Sequence, residues 1–173
     1  MKAALLLFIK AFALFSIPFG ILMFLFGMLE GNPNLMSDVT RAATYGFLMS
    51  ITLVGTHIFT IHKKKLGPIT AETLKVTHKK VVISELPKTE LIDRLTEDPE
   101  WKKFDIRISD TDIRIKTKPS IWTWGEKIRI LAQQAVDGKY QYEITSAPDV
   151  GTTLVDYGRN LQNVQRLEKL ILP

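Results

Sequence analysis

The first sixty residues contain two long apolar runs separated by a short polar loop. Residues 11–29 are uncharged and mostly apolar, and residues 42–62 form a second stretch of similar length. A helix needs about 20 apolar residues to cross the hydrocarbon core of a bilayer. The pattern therefore predicts a two-helix transmembrane hairpin, in which Ser37 or Asp38 in the connecting loop is expected to cap the second helix.

The glycines of the two runs bear on how closely the predicted helices approach each other. Close helix pairs in membranes place small residues four positions apart. Gly20, Gly27, Gly46 and Gly55 do not have this spacing within either run. These glycines could let the helices approach closely, but without this spacing they do not predict a strong dimerisation motif.

The distribution of Lys and Arg predicts the orientation of the hairpin, because basic residues near span ends stay on the cytoplasmic side. The loop between the runs offers only Arg41, whereas the outer flanks carry Lys2, Lys10 and Lys63–Lys65. Both termini are therefore expected in the cytoplasm. A cleaved signal peptide is disfavoured, because the apolar run continues to Leu29 without a small-residue cleavage site.

After Lys65 the pattern changes to short alternating segments that are typical of a folded domain. Residues 73–84, TLKVTHKKVVIS, predict a strand or strand pair, with His78-Lys79-Lys80 as an exposed turn. A short helix is expected next, capped by Thr89 and ended by Asp98-Pro99. Its predicted buried stripe consists of Leu91, Ile92 and Leu95.

Strict alternation then predicts an antiparallel sheet. In residues 103–117, Ile106 and Ile108 fall on one face and Asp105 and Arg107 on the other, and Ser109 to Asp112 supply a turn. Residues 122–132 give the next strand, and Asp137-Gly138 is a hairpin signal into residues 139–146.

The last segment predicts an amphipathic helix. Its apolar residues recur at helical spacing, and Asp156 or Asn160 is expected to cap it. These are Leu161, Val164, Leu167, Leu170 and Ile171. The fold class is therefore α+β: a transmembrane hairpin over residues 1–65, then a small antiparallel sheet of about four to six strands packed against two helices over residues 66–173.

Charge is also divided between the two parts of the chain. Residues 1–65 carry six basic and two acidic side chains, whereas residues 66–173 carry 17 basic and 16 acidic ones. The folded part therefore lacks the basic excess of a nucleic-acid-binding domain, and no nucleic-acid partner is expected. The chain has no cysteine, which excludes disulfides, thiolate metal sites and cysteine nucleophiles.

The segment WTWGEKI raises a packing question. Trp122, Trp124, Ile128 and Ile130 have the same parity, so an unbroken strand would place them on one face together with Glu126. Burying that carboxylate is costly. Either Gly125 bulges and changes the register, or a partner such as Arg159 or Arg129 holds the carboxylate. The tryptophan pair is interpreted as the cap of a small core or, alternatively, as an exposed binding face.

These residues also carry a resemblance to a known family. The sequence resembles a small bacterial α+β domain of unknown function whose members read WSWGEKI, then a strand ending in S-x-P, then DWGKNxxNV. The resemblance covers about residues 86–171, and Thr123, Tyr157 and Arg159 stand where the family has Ser, Trp and Lys. It implies a bacterial inner-membrane setting and brings no established activity. The matching residues are Trp122, Trp124, Gly125, Glu126, Ser146, Pro148, Asp156, Tyr157, Gly158, Arg159, Asn160, Asn163 and Val164.

The sequence thus predicts a membrane-anchored, non-enzymatic module whose domain binds a protein partner or a second copy of itself. No catalytic residue, metal ligand or cofactor is expected, since the usual catalytic motifs are missing. An enzyme that uses Asp156 as an acid–base residue is a less favoured reading. The interaction candidates are Trp122, Trp124, Gly125, Glu126, Asp156, Tyr157, Arg159 and Asn160.

The alternative function is an anionic-lipid or membrane-surface binding module of pleckstrin-like type. Each basic residue close to an anionic membrane surface contributes about 1 kcal/mol of attraction. The lipid headgroup candidates are Lys63, Lys64, Lys65, Lys79 and Lys80, with Lys75 extending the basic stretch.

Overall fold

The computed structural model describes residues 2–120, 123–134 and 138–172. Within these residues the chain forms four helices and a five-stranded antiparallel sheet, which confirms the predicted α+β class. Two compact units are present, Met1–Leu74 and Lys75–Pro173.

The first unit contains the two predicted apolar helices, α1 (Lys2–Leu29) and α2 (Leu35–Lys63). Both are long and apolar enough to cross a membrane by length and composition. The predicted cap of α2 is wrong. Its N-cap is Asn34, whose side chain accepts the backbone N–H of Ser37 at 3.1 Å. The amide thus starts the helix one turn earlier than expected.

A row of small residues on α2 lies in the interface with α1. Ala42, Gly46 and Ser50 are all buried and are spaced four apart. A Cβ added at Gly46 would clash with Oγ of Ser16, so the helices approach closely at this point. Close approach at Gly46 agrees with the sequence expectation, whereas the four-residue spacing, absent among the glycines, is completed by alanine and serine.

The second unit is built on a sheet with strand order β1-β5-β4-β3-β2, in which all neighbours are antiparallel. The strands are β1 (His78–Ser84), β2 (Asp105–Ile108), β3 (Asp112–Lys116), β4 (Glu126–Gln134) and β5 (Tyr140–Pro148). The helices of this unit are α3 (Lys88–Glu97) and α4 (Arg159–Ile171).

Alternate strand residues form one side of the sheet, the closed face, which packs with the helices into a single core. Its predicted alternation is confirmed, with Ile113, Ile115, Ile128, Ile130 and Ile144 almost fully buried. The remaining strand residues form the other side, the open face, which is mostly polar and exposed.

Two aromatic residues occupy special positions in this core. The hydroxyl of Tyr142 donates to the carbonyl oxygen of Leu86 at 2.7 Å, and burial raises the pKa of this tyrosine to about 12. Trp101, which the sequence analysis did not single out, is 3% exposed and is packed edge-on against Phe104. It is therefore a core tryptophan.

Two local predictions in this unit are wrong. His78 is the first residue of a single strand and not an exposed turn residue; it is buried, with Nε2 2.8 Å from the carbonyl oxygen of Lys75. Thr89 does not cap α3, because the helix begins at Lys88 after Pro87, whose fixed φ already suits a helix start. Asp98 ends α3 as predicted.

Candidate functional site

The site begins where β4 starts, at a buried carboxylate. Glu126 is 2% exposed and lies on the closed face beside Ile128. The hydroxyls of Thr117 and Thr123 donate to its carboxylate, the second at 2.7 Å. Nη1 of Arg159 lies 3.9 Å from the same group. Arg159, one of the two predicted partners, therefore approaches Glu126, whereas Arg129 lies on the open face.

The backbone before Glu126 leaves strand geometry at Gly125. This residue has φ +95°, and a Cβ there would lie 2.8 Å from the carbonyl oxygen of Thr117. The carbonyl oxygen of Gly125 accepts the N–H of Asp149 at 2.9 Å. A close backbone approach and a positive φ together require glycine at this position.

This turn places Trp124 outside the core. Its side chain is 71% exposed, although its parity matches that of Glu126. The interpretation of Trp124 as a core residue is therefore wrong, because parity cannot be carried through the broken strand at Gly125. Trp122, the other member of the predicted pair, lies outside the described residues. We call residues 123–126 the Trp124 corner.

The second part of the site is the start of α4. The carboxylate of Asp156, which is 1% exposed, accepts the N–H of Gly158 at 3.1 Å and that of Asn160 at 2.7 Å. It also accepts the Nδ2 donor of Asn160 at 2.9 Å. The N-cap position itself is Gly158, but Asp156 satisfies free N–H groups of the first turn. Tyr157 and Gly158 both have positive φ, 54° and 70°, which completes the turn into the helix.

Side chains from α4 reach the sheet at Ser146 on β5. The Ser146 hydroxyl donates to Oδ1 of Asn160 at 2.6 Å, and Nδ2 of Asn163 donates to Ser146 at 3.3 Å. In the β4–β5 register Ser146 is opposite Ile128, and Pro148 is opposite Glu126. The structure thus brings both sequence motifs together as two hydrogen-bonded clusters, one around Glu126 and one around Asp156, Asn160 and Ser146, with Arg159 of the second motif 3.9 Å from Glu126.

These clusters assign most of the interaction candidates a structural position. Glu126, Asp156 and Asn160 are buried and hydrogen-bonded, and Arg159 is half-buried beside Glu126. Burial also raises the pKa of the half-buried Tyr157. Among the described candidates, Trp124 alone presents a largely exposed side chain.

The lipid headgroup candidates fall at two places. Lys63 is the last residue of α2, Lys64 is its C-cap and Lys65 follows with φ 52°. Lys79 and Lys80 lie on β1, where each forms an ion pair. Nζ of Lys79 is 2.7 Å from Glu143, and Nζ of Lys80 is 2.6 Å from Glu168.

Sequence analysis missed a charge cluster at the centre of the open face. Asp112 accepts from the hydroxyl of Ser109 at 2.7 Å and from Nε of Arg114 and Arg129 at 3.0 and 2.8 Å. The Ser109 hydroxyl and the two guanidinium groups lower the pKa of Asp112 to about 2.

A matching arrangement surrounds Asp149. Nζ of Lys116 and of Lys127 lie 2.8 and 2.6 Å from its carboxylate, and their hydrogen bonds lower its pKa. We call Arg114, Lys116, Lys127 and Arg129 the central cation cluster. The sequence signal for it is the recurrence of basic residues at open-face positions in DIRIK and EKIRI.

The described residues contain no group of three or more His, Asp or Glu side chains placed to hold a metal ion. No protein-family model matches the chain, and neither a curated protein nor a solved structure matches it. The resemblance to the bacterial domain family therefore stays a prediction.

Proposed function

We propose that this protein is a membrane-anchored, non-enzymatic module whose second unit docks a protein partner through Trp124. The observation that carries the proposal is an exposed tryptophan on a corner whose backbone is fixed by buried hydrogen bonds. Tryptophan is among the residues most enriched at the energetic centres of protein interfaces.

The rigidity of the corner supports this role. Thr117 N–H donates to the carbonyl oxygen of Glu126 at 3.0 Å, and the Glu126 N–H donates to the Thr117 hydroxyl at 2.7 Å. Ser120 N–H further donates to the carbonyl oxygen of Thr123 at 2.8 Å. A side chain held on such a support loses little conformational entropy when it binds, which favours affinity.

The membrane setting rests on α1 and α2. Both helices meet the length and apolarity required of spans. Lys63–Lys65 at the end of α2 support a cytoplasmic position for the second unit under the positive-inside rule. The proposed location is the bacterial inner membrane, with partner binding on its cytoplasmic side.

Site-specific crosslinking in native membranes tests the proposal. An aromatic photo-reactive amino acid, which keeps a ring in the anchor position, is introduced at position 124 of the full chain and, as a matched control, at Ile83, an apolar residue on β1 that is 59% exposed. We expect one dominant protein adduct at position 124, identified by mass spectrometry, and none of the same mass at position 83.

The variant Trp124→Ala tests the same proposal independently. Because the side chain is exposed, this variant should change the free energy of unfolding by no more than about 0.5 kcal/mol. It should nevertheless reduce co-purification of the identified partner at least tenfold, as truncating an interface anchor costs about 2 kcal/mol or more. A folded Trp124→Ala variant that retains the partner would contradict the proposal.

The lipid-binding alternative, as predicted from the sequence, is weakened at β1. Lys79 and Lys80 are each neutralised by a nearby carboxylate. Of the lysines first proposed, Lys63–Lys65 are the ones best placed for headgroups, and they serve equally as orientation signals.

A further inference from the structure

We infer that the open face of the sheet is a docking surface for anionic lipid headgroups, an inference that rests on the membrane anchoring proposed above. The proposed surface is centred on the central cation cluster, which contains neither the Trp124 corner nor the lipid headgroup candidates discussed above. It rests on the register of the strands, on a surplus of positive charge and on the length of the tether.

The register places like charges directly opposite each other. On the open face Arg107 pairs with Arg114, and Arg114 pairs in turn with Arg129 on the next strand. Lys116 is opposite Lys127. Like charges at such positions destabilise a sheet unless an anion lies between them. Asp112 lies between Arg114 and Arg129, and Asp149 lies between Lys116 and Lys127, so these carboxylates allow basic side chains to crowd on one face.

The carboxylates on this face compensate only half of the central cation cluster. Asp112 is shared by two arginines, and Asp149 is shared by two lysines. Each carboxylate together with its two basic partners therefore keeps one net positive charge. The four basic side chains remain 52–65% exposed, so their outer surfaces can bind a further anion.

The surplus is specific to this face. Including Asp149 at the end of β5, the open face carries six basic and four acidic side chains, whereas the rest of residues 66–173 carries eleven basic and twelve acidic ones. The basic residues are Lys79, Arg107, Arg114, Lys116, Lys127 and Arg129, and the acidic ones are Asp105, Asp112, Glu143 and Asp149. A positive face on an otherwise balanced domain favours one orientation against a negative surface.

The length of the chain between α2 and β1 favours lipid over a soluble polyanion. Residues 64–77 link the two elements, and 14 residues reach at most about 50 Å when fully extended. A unit tethered in this way to a bilayer meets headgroups at a high effective concentration, so that even weak attraction produces docking. Basic residues close to an anionic leaflet provide such attraction.

The absence of native cysteine allows a direct test with the full chain in lipid nanodiscs. Gln133→Cys places one fluorophore at an exposed open-face position, and Glu97→Cys places it at the exposed end of α3 as the control. A nitroxide attached to lipid headgroups quenches a nearby fluorophore. We expect quenching at position 133, and much less at position 97, in discs that contain phosphatidylglycerol, with loss of quenching at high salt.

Charge variants test the assignment to the cluster. Lys116→Gln/Lys127→Gln should lower the ratio of docked to undocked domain about 30-fold, since each basic side chain contributes about 1 kcal/mol. The matched control is Lys102→Gln/Lys169→Gln, which removes the same charge from exposed positions off the sheet and should have little effect. Asp149→Asn should act in the opposite direction and raise the ratio about fivefold.

The same experiment can overturn the inference. Equal quenching in discs of phosphatidylcholine alone, equal effects of the two lysine pairs, or no quenching at position 133 would each contradict it. A crosslink from position 133 to an acidic protein in native membranes, without quenching in the discs, would assign the face to a protein. Because the discs contain no partner protein, failure here leaves the Trp124 proposal intact.

Discussion

The two faces of the sheet are made by alternate residues of the same strands, yet different interactions stabilise them. On the closed face Ile130 and Ile144 are paired across β4 and β5 and fully buried. On the open face the next residues along, Arg129 and Thr145, form the neighbouring pair. Burial of apolar surface contributes about 25 cal/mol per Å², whereas exposed ion pairs contribute about 0–1 kcal/mol each. The closed face therefore stabilises the fold, and the open face can vary its charges at little cost.

Each face also contains one buried carboxylate, and the two are held differently. Glu126 on the closed face accepts hydrogen bonds from two threonine hydroxyls, and the guanidinium group of Arg159 lies farther away, at 3.9 Å. Asp112 on the open face receives two arginines whose side chains remain largely exposed. The carboxylate of Glu126 holds the two threonines and the Trp124 corner together by hydrogen bonds. The carboxylate of Asp112 organises cations that point toward solvent, which is the arrangement expected of a surface that meets an anion.

The two faces are expected to differ most in how much unfolding free energy is lost when a side chain is truncated to alanine. Ile144→Ala should lower the free energy of unfolding by about 2–5 kcal/mol, because the removed atoms leave a cavity among fully buried neighbours. Denaturant unfolding of the full chain in detergent, followed by near-ultraviolet circular dichroism, measures this change. Thr145→Ala, one residue along on the open face, is the control and should change it by no more than about 0.5 kcal/mol. Similar losses for both variants would mean that the open face is also packed.

A smaller effect is expected at the corner between the two faces. Gly125→Ala forces a side chain onto φ +95° and places its Cβ 2.8 Å from a backbone oxygen. Gly138 also has a positive φ, +74°, but among the described residues no atom beyond its chain neighbours lies within 4 Å of an added Cβ, so Gly138→Ala isolates the conformational cost. That cost is about 1–2 kcal/mol of unfolding free energy, and Gly125→Ala should exceed it because the backbone must also shift. Equal midpoints for the two variants would show that the corner is less tightly packed than described.

The alternation of residues predicted the sheet, because burial on one side imposes a period of two. Ile106, Ile128 and Ile130 lie on the closed face as expected. The same rule failed at Trp124, since it assumes a continuous strand and Gly125 interrupts that strand. A sequence shows where glycine allows a positive φ, but the neighbouring carbonyl that requires it belongs to Thr117, on the preceding segment, which only the fold brings alongside Gly125.

The central cation cluster could not be predicted from the sequence for a different reason. Asp112 is followed by Arg114 two residues later, a pairing that local sequence can suggest. Its second partner, Arg129, comes from the next strand and depends on the register. Asp149 likewise meets Lys116 and Lys127 only after three segments are brought together. Net charge over residues 66–173 is nearly balanced, so composition conceals how the charges are divided between the two faces.

The smallest of these stability changes is expected for Asp112→Asn. Unlike the loss caused by core truncation, this change should depend on pH. The folded-state pKa is about 2, below the ordinary value of 3.8, so the charged form is favoured by folding. The resulting stabilisation is present above about pH 4 and is lost as the pH falls toward 2. Asp112→Asn should therefore be less stable than the native chain at pH 7, and this difference should shrink between pH 4 and pH 2.

Denaturant midpoints of the full chain in detergent across this pH range measure the effect. Asp105→Asn is the matched control, because it removes an open-face carboxylate that contacts Arg107 and is 54% exposed. Exposed pairs of this kind contribute little, so its midpoint at pH 7 should stay close to that of the native chain. If the Asp112→Asn difference persisted unchanged at pH 2, the arginines would stabilise the sheet by packing and not by charge. The open face would then resemble the closed face in how it is held together, and its basic side chains would be less available to a ligand.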